Sequence, residues 1–212
     1  PHKKIFVGYS DITALHSALW RKLRLVTFHG PMVSTSHGTG LEVPYNLTGL
    51  ADAVIGARYP GPLALPPEAK IAVLSGGRAE GDLIGGNLSL VAASIGTDYE
   101  VMPKGKILFL EEVGEAPYRI DRMLCQLESA GKLDEAAGFL LGDFTDCEAK
   151  EGVSTLTLDE ILSRYLAGKG KPCMAGVPAG HGRFNATLPM GVRTAIDGEE
   201  GSVTFLERTV IQ

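Results

Sequence analysis

From residue 3 to residue 28 the chain spells a strand, a sharp turn, a helix and a second strand with almost nothing between them. Lys3 to Val7 is a short apolar run that ends in β-branched Val7, and Gly8-Tyr9-Ser10-Asp11 reads as a turn. Ile12 to Leu23 places Ile12, Leu15, Leu19 and Leu23 near the helical period, and Leu25 to Phe28 is again strand-like. Strands and helices that alternate over such short joins select the α/β class. The alternation continues downstream. Strands are expected at Lys70–Leu74, Lys106–Leu110, Gly138–Leu141, Met174–Val177, Val192–Ile196 and Val203–Leu206, with Asp197-Gly198 turning the last two into a hairpin. Helices are expected at Asn46–Ile55, at Leu88–Ile95 after Gly85-Gly86-Asn87, at Tyr118–Ser129 closed by Gly131, and at Thr157–Leu166. His29 to Pro44 reads as a loop. Arg58 to Glu68 holds four of the chain's 12 prolines, which stop helices and sheet ladders, so the linker between two parts is expected there.

The remaining composition excludes several classes of function. With 212 residues the chain suits one large or two small domains, and 44% hydrophobic against 21% charged residues is an ordinary globular balance. A formal charge of -5 offers no basic surface for phosphates, so no nucleic-acid partner is expected. No apolar run approaches the roughly 18–20 residues of a membrane span, and no signal peptide opens the chain, so no membrane partner is expected. Cys125, Cys147 and Cys173 are few, odd in number and far apart, as befits reduced thiols in the cytoplasm. The five histidines form no H-E-x-x-H and no Cys/His cluster, so neither metal nor cofactor is expected. The sequence opens on Pro1 and enters a strand almost at once, which raises the expectation of further residues upstream.

Val7-Gly8-Tyr9-Ser10-Asp11-Ile12 carries the strongest local chemistry. A serine on a tight strand-to-helix turn is exposed, and the helix N-terminus aims free N–H groups at it. The N–H of Asp11 would serve as an oxyanion donor. The pattern departs from G-x-S-x-G, because Ile12 stands where the second glycine would be, and capping of the helix by Ser10 or Asp11 fits it equally. A serine nucleophile needs a base and the base an orienting carboxylate. His181, between Gly180 and Gly182 after a strand, is the best-placed histidine; His29 is its rival, while His2, His16 and His37 have plainer settings. Ile107 to Leu110 runs into Glu111-Glu112, with Glu115 behind. Alternation sends Glu111 and Glu112 to opposite faces, and spacing does not choose between them or exclude that both face solvent. Gly85-Gly86-Asn87 opening a helix suits either a polar substrate group or a plain tight turn.

Four blocks taken together resemble the serine LD-carboxypeptidase family, the muramoyltetrapeptide carboxypeptidases with the microcin C immunity-type peptidases. They are G-Y-S-D-I-T-A-L at 8–15, G-G-N-L-S at 85–89, L-F-L-E-E-V-G-E-A-P-Y-R-I-D-R-M-L at 108–124, and G-H-G-R-F-N-A-T-L-P-M-G at 180–191. The resemblance implies Ser10 as nucleophile, His181 as base and Glu111 as orienting carboxylate, with Asp11 giving an oxyanion N–H and Gly86 and Asn87 at the substrate. It implies residues 1–62 as the remainder of a flavodoxin-like N-terminal domain and 66–212 as a mostly β, barrel-like C-terminal domain with helices. Family members carry a longer stretch before the elbow, with an R-G-G-Y-G segment that this sequence lacks, so the source of a second oxyanion donor and the activity of this chain by itself stay open. The implied reaction is metal-independent release of the terminal D-alanine from a cytoplasmic murein tetrapeptide in cell-wall recycling, by a homodimer. An immunity-type peptidase is the alternative, though the intact G-E-A-P-Y segment leans toward the murein reaction; a non-catalytic fragment that binds or dimerises is the second. Arg119, Arg122 and Arg183 lie near the motifs without an assigned role.

Overall fold

The computed structural model describes residues 4–34, 40–55, 59–150 and 155–209. His2, Lys3, His37 and Arg58 lie outside them. The elbow strand β1 (Val7–Gly8) leads through a 3-10 turn at Ser10–Ile12 into α1 (Thr13–Leu23), and β2 (Thr27–His29) returns parallel to it, Val7 opposite Phe28 and Gly8 opposite His29. The strand expected at Lys3–Val7 is therefore short and shifted toward the turn. After α2 (Pro44–Ile55), β3 (Gly61–Pro62) occupies part of the proline-rich segment expected to be a linker. It pairs with Thr204 and Phe205 at the edge of a sheet, where a proline without an N–H is tolerated.

That sheet has eight strands in the order β3-β11-β10-β5-β6-β7-β8-β4. They are β4 (Ala72–Ser75), β5 (Arg78–Asn87), β6 (Ile107–Val113), β7 (Gly138–Thr145), β8 (Cys173–Ala175), β10 (Arg193–Asp197) and β11 (Ser202–Phe205), with β3. The strands β5 to β8 run parallel and the rest antiparallel. Among the described residues the sheet is open, ending at β3 and β4, so the barrel-like unit is not a closed barrel. The crossovers α3 (Leu88–Ala93), α4 (Pro117–Ser129) with α5 (Lys132–Glu135), and α6 (Leu158–Tyr165) cover one face. Alternation along β6 sends Leu108 and Leu110 into the core under these helices. Ile107 and Phe109 enter a second core with Phe28, Leu188 and Val192. A strand buried on both faces reads as a continuous apolar run, which is why β6 was legible.

The sequence reading missed β5 because Gly81, Gly85 and Gly86 dilute its strand signal. The glycines answer to packing. A Cβ on Gly85 would strike the Phe109 carbonyl, one on Gly86 the Thr13 hydroxyl, and both residues have positive φ. Also missed was β9 (Leu188–Met190), which contains Pro189. It pairs antiparallel with β2 and completes a second sheet in the order β1-β2-β9. The chain that follows His181 is thus stitched to the strand beside the elbow.

His16 on α1 binds this small sheet from behind. It is buried, Nδ1 lies 2.8 Å from Thr27 Oγ1 and Nε2 2.9 Å from the Gly8 carbonyl. Burial lowers its pKa to about 4, against the raising effect of the Gly8 contact. The unfolded chain takes up that proton below about pH 6.5 and the folded chain only near 4, so stability present at neutral pH is lost as pH falls through this window. Acidification from pH 7 to 4 should cost the native protein about 3 kcal/mol more than it costs His16→Gln, read from denaturant unfolding at the two pH values.

Candidate active site

Ser10 stands at the apex of the elbow with φ 60, a left-handed conformation uncommon for a residue with a side chain. Tyr9 before it is extended, and the Ile12 N–H donates to the Tyr9 carbonyl at 3.2 Å, closing the turn. Gly8 allows so tight a turn, since a Cβ there would lie 2.7 Å from Ile12 Cγ2. Ser10 is partly buried and Asp11 exposed.

Across from the elbow, β6 delivers Glu111 and the loop after β8 delivers His181. Their side chains meet, Nδ1 of His181 lying 2.8 Å from Glu111 Oε2. The Tyr9 ring packs edge-on against the His181 ring with centroids 4.9 Å apart, which sets the imidazole beside the residue preceding Ser10. Glu111 is fully buried, whereas the His181 side chain keeps 17% of its surface. Burial pushes the Glu111 carboxyl up, but the His181 hydrogen bond and the nearby His29 outweigh it and hold the group below the usual carboxylate range.

Glu112 takes the opposite face of β6, as alternation requires, but the alternative of two solvated strand-end carboxylates is wrong for both. Glu112 is buried, and its Oε1 accepts from Asn87 Nδ2 and the Val113 N–H, each at 2.9 Å. Its Oε2 accepts from the Ser89 N–H at 2.9 Å and hydroxyl at 2.6 Å. Glu112 thereby ties the end of β5 to the start of α3. Asn87 caps α3, its Oδ1 accepting from the Leu90 N–H at 3.3 Å, and sits opposite Glu111 in the β5–β6 register. Gly86 packs on Thr13, whose hydroxyl accepts from the Asn87 N–H. The side chain of Asn87 is thus already engaged in structural contacts.

Around the pair, the glycine before His181 takes the unusual angle and close approach that the sequence suggests, while Asn46 and Asp143 escaped the sequence reading. Gly180 has φ 138, and a Cβ there would come within 2.9 Å of Glu111 Oε2. The His181 loop is pinned by Asn46 of α2, whose Oδ1 accepts from the Asn185 N–H at 2.7 Å and whose Nδ2 donates to the Arg183 carbonyl. Asp143 on β7 accepts the Gly182 N–H at 3.2 Å. Burial raises its pKa to about 6, the Gly182 bond opposing and the Glu111 charge adding to the rise. Only the phrase around Asn185, within G-H-G-R-F-N-A-T, hinted at any of this. Arg119 and Arg122 instead pack around Tyr118, with Arg119 on Glu115, and Arg183 lies over Phe184. A cavity of about 410 Å³ opens elsewhere, lined by Trp20, Arg24, Lys106 and Met190, and none of Ser10, Glu111 and His181 lines it.

With this geometry in view, the likeness to known proteins is specific. Residues 80–196 match the LD-carboxypeptidase C-terminal domain, and residues 1–30 the LD-carboxypeptidase N-terminal domain. The chain belongs to the LD-carboxypeptidase family. A Bacillus subtilis protein described as a probable murein peptide carboxypeptidase is 40% identical over 199 residues, 94% of this chain and 61% of its own length. The murein tetrapeptide carboxypeptidase of Pseudomonas aeruginosa is 35% identical over 202 residues, covering 91% of this chain and 62% of its own. This LD-carboxypeptidase family chain thus spans less than two thirds of the length of these curated relatives. Among solved structures, a muramoyltetrapeptide carboxypeptidase from Oxalobacter formigenes superposes with TM-score 0.79 at 30% identity, over 94% of this chain and 67% of that one. The microcin C7 self immunity protein MccF shares the fold at TM-score 0.85 and 24% identity, over 99% of this chain and 69% of its own.

The raised pKa of Asp143 has a measurable consequence. An aspartate that ionises near pH 6 when folded and near 3.8 when unfolded costs the folded state stability as pH rises through that range. Asp143→Asn keeps the acceptor for Gly182 and removes the titration. Its stability relative to the native protein should be about 1–3 kcal/mol more favourable at pH 7 than at pH 4, by denaturant unfolding.

Proposed function

We propose that the protein is a serine-type LD-carboxypeptidase acting without a metal, which releases the terminal D-alanine of murein tetrapeptides in the cytoplasm. The observation that carries this reading is the buried Glu111–His181 hydrogen bond beside a serine elbow held at positive φ. In the proposed reaction Ser10 Oγ attacks the carbonyl of the L,D-peptide bond while His181 Nε2 takes its proton. The Asp11 N–H faces the developing oxyanion, and His181 returns the proton to the leaving amine of D-alanine. Water then cleaves the acyl-enzyme by the same exchange in reverse. Glu111 on Nδ1 fixes the tautomer that leaves Nε2 free to accept, and stabilises the imidazolium. Gly86 and Asn87, at the end of β5 with Asn87 opposite Glu111, would border the substrate.

A murein peptide is favoured over a peptidyl-nucleotide because the murein carboxypeptidases are 40% and 35% identical to this chain, against 28% for the MccF protein of Escherichia coli. Among the described residues no helix is long and apolar enough to cross a membrane. The working unit in this reading is a homodimer. Residues 1–62 would belong with a flavodoxin-like domain that carries the nucleophile, and 66–212 with the domain that carries the acid and the base.

The two neighbouring glutamates separate the proposed chemistry from structure. On a murein tetrapeptide, Ser10→Ala should abolish turnover and Glu111→Gln should lower kcat by roughly 10⁴-fold while the fold persists, and a chelator should leave the native rate unchanged. Glu112→Gln replaces one acceptor of a buried cluster with a donor, so it should instead cost about 1–3 kcal/mol in unfolding free energy. A rate lost to chelation and restored by a divalent metal, or full turnover by Ser10→Ala, would refute the serine mechanism.

A further inference from the structure

The contacts above account for only one oxygen of Glu111. Oε2 holds His181; Oε1 is buried and, among the described residues, has no hydrogen-bond partner. Nε2 of His29 lies 3.9 Å from it. His29 ends β2 opposite Gly8 of the elbow strand and is itself fully buried, and neither of its ring nitrogens has a hydrogen-bond partner among the described residues. Its ring is fixed in place, edge-on to Phe109 at 5.0 Å and to Tyr9 at 6.2 Å. An unmet carboxylate oxygen and an unmet imidazole nitrogen thus face each other in a site closed to water, about one ångström beyond hydrogen-bond range.

Chemistry chooses the tautomer. With the proton on Nδ1, a lone pair on Nε2 would point at a carboxylate oxygen and the buried N–H would have no acceptor. With the proton on Nε2, donor meets acceptor and only a ring lone pair is left unmet, the less costly orphan. We propose that His29 is a positioning residue for the reaction, donating its Nε2–H to Glu111 Oε1 and so holding Oε2 on His181. The assignment rests on the serine-peptidase reading for its catalytic meaning, but the contact itself does not. A carboxylate gripped at both oxygens by two imidazoles cannot rotate about its terminal bond, and the base it orients keeps one orientation through the proton transfers. The titratable groups turned toward the pair are His181 from the loop after β8, Asp143 from β7, His16 from α1 and Tyr9 from the elbow, while Glu112 faces away.

Histidine-selective ¹⁵N NMR of the native protein tests the contact whether or not the protein cleaves a peptide. The expected spectrum has His29 protonated at Nε2 with a hydrogen-bonded, low-field proton, and bare at Nδ1. A His29 protonated at Nδ1 alone, or an Nε2–H without that shift, overturns the assignment. In His29→Leu the carboxylate loses a competing donor and accepts more strongly from His181, so the His181 Nδ1–H resonance should move to lower field. On a murein tetrapeptide its kcat should fall about tenfold with KM unchanged. His29→Gln, which keeps an N–H donor at the same reach, should restore both. A purely structural His29 would lower the stability of both variants and leave the His181 Nδ1–H resonance where it was, which also overturns the proposal. Failure of the native protein to cleave the tetrapeptide would remove the proposed function, and the NMR readouts would still decide the contact.

Discussion

A carboxylate with no exposed surface at the end of an apolar strand is the constraint around which this molecule is arranged. Left alone in such a place Glu111 would be protonated, since burial disfavours the charged form more strongly than any single neighbour favours it. It stays ionised because His181 reaches it at 2.8 Å and His29 stands behind it. Meeting that requirement draws three distant stretches of chain to one point: β2 beside the elbow, the end of β6, and the glycine-flanked loop after β8. The glycines at 180 and 182 follow from the same demand, because side chains there would crowd the carboxylates of Glu111 and Asp143.

The neighbouring glutamate shows how a strand can separate two tasks within two residues. Glu111 faces the core shared with the small sheet, and Glu112 faces the helices, where four donors from Asn87, Ser89 and Val113 satisfy it. One acid pairs with an imidazole and the other joins a strand to a helix. The residue types alone do not reveal the difference.

Much of the fold was legible because its parallel strands are apolar throughout and its helices carry conventional ends. Thr157 and Glu160 form a capping box at α6, and Pro117 opens α4. What escaped were the strands whose sequences answer to close packing: β5, diluted by glycines that admit Phe109 and Thr13, and β9, whose central residue is a proline. The pairing of Glu111 with His181 came from resemblance, since spacing left Glu112 and His29 open as alternatives. His29 itself was a rival for the base, but its ring is sealed beneath Tyr9 while His181 keeps a path to solvent. Exposure of that kind is a property of the assembled layers and leaves no mark on five residues of local sequence. Asn46 and Asp143 were invisible for the same reason, as each acts on a loop far away in the chain.

The chain from His181 enters β9 almost directly, and β9 is laced to β2, which is laced to the strand that ends at Ser10. Ser10 and His181 are therefore parts of one woven strip, although they belong to opposite ends of the sequence. Strands paired in this way tend to open together, so fraying at β9 would loosen the elbow along with the imidazole. The loop that holds His181 is unsuited to serve as a gate. In the proposed reaction, any gate would have to lie elsewhere on the surface.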